Sequence, residues 1–250
     1  GGITISVMGT GMLPGSTCRF GGVPAIAATF ISAGVLNCAS PAQLPGNYAV
    51  EVTSNMQDFT FDGIQFEYTE PTTVRQLEPV LGALDGGTPV LVHGTGFIQT
   101  NGLACKFGDT TPVSARWLSP RLLECRSRGM ILAGNVSLEV SINNQDFSAS
   151  GVLFEYMGNP TIGMVKPANG PLGGGTLVEI QGGPFSARAF SLRSLYCRFG
   201  LDPEGRSLAK AQRISSEVLN CVAPEHIAGH VAVEISINGF DFTDSGVTFE

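Results

Sequence analysis

Six cysteines are the residues best able to do chemistry in this 250-residue sequence: Cys18, Cys38, Cys105, Cys125, Cys197 and Cys221. Thiolates hold zinc when two stand close together, as in C-x-x-C, with a second couple or histidines completing four ligands. Here the members of each successive couple are roughly 20 or more positions apart, too far for that pattern. The only histidines are His93, His226 and His230, so zinc is disfavoured. One disulfide per couple is the expected chemistry: Cys18–Cys38, Cys105–Cys125 and Cys197–Cys221. Closing a loop of that size stabilises a small domain by roughly 3 kcal/mol, and it points to an oxidising compartment outside the cytosol. No cysteine is then left as a nucleophile, and no Ser, His and Asp set recurs. The reading is a non-enzyme with no catalytic residues, no cofactor and no metal site.

Weaker candidates are structural or contact residues. Carboxylates recur at Glu51, Glu139 and Glu234 and at Glu67, Glu155 and Glu250, with bases at Arg19, Lys106 and Arg198. Calcium loops need several carboxylates within a few residues. A row of base, acid and acid on adjacent strands makes cross-strand ion pairs worth a few tenths of a kcal/mol each. Asp58, Asp146 and Asp241 lie in stretches rich in turn formers and are expected to bond backbone there. Trp117 is the single Trp; if Leu118 points inward, Trp117 is exposed and is a candidate contact for protein or sugar. Asn135 opens Asn-Val-Ser, the single N-glycosylation sequon. A net charge of −7 argues against a nucleic-acid partner. The apolar runs are too short to span a bilayer and the first residues lack a signal-peptide pattern, so membrane attachment is expected only through parts outside this fragment.

The elements that position these residues repeat. The run after a Gly-Gly pair occurs as "GGITISVMGTG", "GGTPVLVHGTG" and "GGTLVEIQGGP"; "CRFG", "CKFG" and "CRFG" follow, then "VLNCASP", "LLECRS" and "VLNCVAP". Next come "GNYAVEV", "GNVSLEV" and "GHVAVEI", and then "SNMQDFTFDGIQFEY", "SINNQDFSASGVLFEY" and "SINGFDFTDSGVTFE". A period of roughly 90 residues is too long for a solenoid repeat and suits a small domain. Short alternating runs bounded by Gly, Pro and Asn argue strands, and no stretch holds a helical period. Alternation puts Ile3, Ile5 and Val7 on one face, as it does Thr88, Val90 and Val92, and each cysteine falls on the buried face of its strand. The expectation is all-β: three tandem immunoglobulin-like sandwiches over residues 1–69, 70–157 and 158–250. The first lacks its opening strand and the third is truncated at its C-terminus, as though cut from a longer array. Two or three residues with a Pro separate neighbours, with no Gly/Ser linker, so the domains should be held in near-fixed relation as a stiff rod.

Five motifs in fixed order, three times over, resemble the IPT/TIG family of immunoglobulin-like domains. They are G-G-T-x-V-x-I-x-G, C-x-F-G, L-x-C-x-x-P, G-x-V-x-V-S-x-N and F-x-Y. The resemblance implies an extracellular or cell-surface chain. Its first functional expectation is an adhesive or filament-forming structural protein that binds a protein partner or itself, with glycans as further partners. The alternatives are a stalk of a plexin-like receptor, or accessory modules of a secreted carbohydrate-active enzyme.

Overall fold

A computed structural model describes residues 1–201 and 207–250, and the chain separates into two compact units, Gly1–Thr72 and Thr73–Glu250. The first unit contains β1 (Thr4–Met8), β2 (Thr17–Phe20), β3 (Ile26–Ala27), β4 (Thr29–Ser32), β5 (Val35–Ala39), β6 (Gly46–Thr53) and β7 (Gln65–Tyr68). They form two sheets, ordered β1-β5-β4 and β3-β2-β6-β7. The second unit holds two further sandwiches. In one, β8 (Thr73–Glu78), β10 (Pro89–Thr95), β13 (Arg116–Ser119) and β14 (Leu122–Arg126) form the sheet β13-β14-β10-β8. Its partner is β12-β11-β15-β16-β9, made of β9 (Leu81–Ala83), β11 (Ala104–Phe107), β12 (Val113–Ser114), β15 (Gly134–Ser141) and β16 (Leu153–Met157). The other sandwich has β17 (Thr161–Lys166), β18 (Leu177–Gly183), β19 (Tyr196–Phe199), β20 (Leu208–Lys210), β21 (Gln212–Arg213), β22 (Val218–Val222), β23 (Val231–Ser236) and β24 (Thr248–Phe249). Its sheets are β17-β18-β22-β21 and β20-β19-β23-β24.

Period-2 alternation determines the cores. In the middle sandwich Val90, Val92, Cys105, Phe107, Leu123, Leu138, Val140 and Phe154 are fully buried. Phe154 meets Phe107 and Tyr156 edge to face, at centroid distances of 5.3 and 5.1 Å, an arrangement that adds to the burial itself. Cys105 on β11 is bonded to Cys125 on β14, so the bridge joins the two sheets through the core. Cys18–Cys38 and Cys197–Cys221 do the same in the other two sandwiches.

The recurrent Gly-Gly pair has a steric cause. Gly86 has φ 76°, and a Cβ on it would lie 2.4 Å from the Gly129 backbone nitrogen. Gly174, at φ 71°, would meet Glu225 N at 2.6 Å. Only glycine lets the chain pass so close to the segment after the second cysteine while adopting a left-handed conformation.

One element departs from the sequence reading. A short helix, α1 (Ala187–Ser191), follows Ser186, whose Oγ accepts the Ala189 N–H at 3.0 Å as an N-cap. It lies in the longer connection that the third repeat inserts before Cys197, and one helical turn is too brief to leave a period in the sequence. In the first sandwich, β1 pairs with β5, and among the described residues no strand lies on its other side. The equivalent place in the middle sandwich is taken by β8, which pairs with β10 and buries Val74 and Leu77. A cleft of about 980 Å³ occupies that place in the first unit, with Ile5, Val7, Val52 and Phe66 among its walls.

Candidate functional site: the joint inside the second unit

The three closing turns are built by asparagine. Asn55 Oδ1 accepts the N–H groups of Gln57 and Asp58 at 3.0 and 2.8 Å, and Asn143 Oδ1 accepts those of Gln145 and Asp146 at 3.0 and 2.9 Å. Asn238 Oδ1 accepts Phe240 and Asp241 N–H, both at 2.9 Å. The asparagine amide then donates to the aspartate three residues on, at 2.8 Å in the first two turns and 2.6 Å in the third. These are Asx turns. The residue after the asparagine has positive φ: Met56 at 63°, Asn144 at 58° and Gly239 at 84°.

In the third turn the same groups reach into the neighbouring sandwich. Asp241 Oδ2 accepts the Thr88 hydroxyl at 2.5 Å and the Ala83 N–H at 3.3 Å, while Asn238 Nδ2 donates to Leu81 O at 3.2 Å. Thr88, Ala83, Leu81 and Asn238 are all buried. Leu81 is packed inside the hydrophobic core of the third sandwich, with Met157 beside it. At the edge of the joint, Arg188 of α1 donates to Glu155 on β16 at 3.2 Å. A carboxylate whose donors are shielded from water makes stronger bonds than neutral acceptors do, and here two of its three donors come from the adjacent domain. Two of the three receiving positions are not repeated: where the middle sandwich has Leu81 and Ala83, the third has Asn169 and Pro171, while Thr88 recurs as Thr176.

Sequence reasoning took Asp241 for a turn former alone. The signals that set it apart were Gly239, where the other turns have Met56 and Asn144, and the inserted segment that supplies Arg188. The charged row is also corrected. Arg19 pairs with Glu51 at 2.8 and 2.5 Å and lies 3.7 Å from the Phe59 ring centroid. Arg198 pairs with Glu234 at 2.7 and 2.6 Å and lies 3.7 Å from that of Phe242. In the middle domain Glu139 instead accepts from Ser148 Oγ at 2.5 Å and from Ser150 N and Gly151 N at 3.0 Å each, and Lys106 sits 5.2 Å over Phe147. The second carboxylate set does not extend the row, because Glu67 is opposite Asn47 and Glu155 is opposite Asn135. Each pair therefore carries a stacked aromatic in place of a third charge.

Trp117 is less open than an unbroken alternation would leave it. It is half-buried against the middle core, and its Nε1–H donates to Phe97 O at 3.2 Å. A β-bulge between Trp117 and Ser119 breaks the alternation on which that expectation rested. Asn135 is exposed on β15. His93 lies 4.0 Å from Glu78. Among the described residues no three His, Cys, Asp or Glu side chains gather as a metal site would require.

Plexin-A4 of Danio rerio is 27% identical over 139 residues, covering 50% of this chain and 7% of that protein. Fibrocystin-L of Homo sapiens is 26% identical over 162 residues, covering 63% and 4%. The chain thus spans only a small part of the relatives it matches. The full extracellular region of plexin A4 superposes with a TM-score of 0.49 at 16% identity, over 98% of this chain and 23% of that one. With three disulfides and relatives of this kind, the chain is extracellular or at the cell surface. The IPT/TIG domain model matches residues 1–68, 72–156 and 160–250, in register with the three disulfide-bridged sandwiches, and the chain belongs to the IPT/TIG family.

Proposed function

We propose that this chain is a spacer segment of a cell-surface receptor ectodomain, with no catalysis of its own, which holds protein-binding domains of a longer polypeptide in a set relation. The observation that carries the proposal is the joint between the second and third sandwiches, where a shielded carboxylate and a shared apolar contact replace a linker. Interfaces between domains of one chain are ordinarily modest and polar, which makes relative motion the default. A joint held by Asp241, Asn238 and Leu81 removes that freedom. Matches to plexins favour this reading over a self-assembling fibre.

The test is a distance distribution between spin labels carried by unnatural amino acids at the exposed positions 121 and 225, in the whole chain. One narrow distance is expected, and a broad distribution overturns the spacer reading. Electron microscopy of the chain alone separates the alternatives further, because ordered filaments there would return the fibre reading to first place.

A further inference from the structure

We infer that Asn135 carries an N-linked oligosaccharide, which closes the outer face of β15 and β16 to side-by-side packing. The sequon Asn135-Val136-Ser137 is the only one in the chain. N-linked sugar is added before the fold closes, so an occupied asparagine must be one that the fold leaves in solvent. Asn135 meets this condition. It is exposed on β15 opposite Glu155. Val136 and Leu138, the alternate residues, take the inward face.

The repeat supplies an internal comparison. Asn47 holds the same register in the first sandwich, opposite Glu67, and is also exposed, but the residue two places on is Ala49. His230 takes the place in the third. The middle domain alone combines the exposed amide with a hydroxyl at the following position but one. In the transfer, the Asn135 amide nitrogen forms a bond to the anomeric carbon of a lipid-diphosphate-linked oligosaccharide. The bond from that carbon to the diphosphate oxygen breaks, the lipid diphosphate leaves with the electron pair, and the amide gives up one proton to the transferase's base.

The whole chain, secreted from eukaryotic cells behind an added signal, tests the proposal by intact mass before and after peptide N-glycosidase. The expected result is a loss of mass on treatment, with residue 135 read as aspartate in the digested peptide. Ser137→Ala should abolish the modification, and Ala49→Ser should create a second glycan at Asn47. A secreted wild-type chain with unmodified Asn135 overturns the proposal. A modified chain whose copies nevertheless cross-link through the β15–β16 face overturns the part concerning packing.

Discussion

Replacing Asp241 with Ala should loosen the joint without disturbing either sandwich. The carboxylate accepts two bonds across the domain boundary, from Thr88 Oγ1 and Ala83 N, and both donors are buried. Hydrogen bonds to a charged group contribute about 1.5 to 3 kcal/mol each, and a donor left unpaired keeps its desolvation cost. Water entering the vacated space recovers part of that, so about 3 kcal/mol is a reasonable loss for the docked state. Native-state amide exchange reads it locally. The Leu84 N–H donates to Met157 O at 3.0 Å within the middle sandwich, where Met157 also packs on the third core, and the substitution does not touch it. If exchange there proceeds by opening of the joint, it should quicken about a hundredfold, since each 1.4 kcal/mol is about tenfold. Asp58→Ala is the control, because Asp58 is exposed and its side chain accepts from Asn55 of its own turn. Leu84 exchange that stays within about threefold of the control would refute the assignment of the joint to Asp241.

Three further outcomes are expected. Arg198→Ala should lower the urea midpoint by about 1.5 kcal/mol equivalent, because a doubly bonded guanidinium also loses the Phe242 face, whereas Lys106→Ala should cost under about 0.5 kcal/mol; equal effects would contradict the stacking. Burial, outweighing Ser127 and the Arg128 backbone, pushes the Tyr156 hydroxyl from 10.0 up to about 12. The folded value lies above the unfolded one, so this contribution is whole below about pH 10 and is lost as pH rises to about 12, amounting to about 2 to 3 kcal/mol; alkaline melts should show it, and Tyr156→Phe should flatten it. Chelator should leave the melting temperature unchanged, and a fall of several degrees would reveal a bound cation.

Much of the fold was legible because it is written in period two. Val90, Val92, Leu138, Phe154 and Tyr156 are buried by alternation alone, and three recurrences of each motif remove most of the ambiguity a short apolar run would carry. The joint was less legible, because it depends on which loop of one domain meets which strand of the next, and no local pattern encodes that meeting. Asp58, Asp146 and Asp241 look alike in sequence, yet Asp241 alone among them is seen to bond Thr88. Trp117 was less legible for a different reason: a bulge shifts the phase of a strand, and a single extra residue in a four-residue strand leaves no trace in composition.

The receiving side of the joint has a further consequence. Ala83 gives Asp241 a backbone N–H, and the third sandwich has Pro171 at that position, which has none to give. A duplicate of the third turn placed after the third sandwich would find one of its donors missing. This coupling is keyed to its own two domains, so the order of the second and third sandwiches carries information that their common fold does not. A copy of the third sandwich set after the third would dock on that surface only if the surface changed as well.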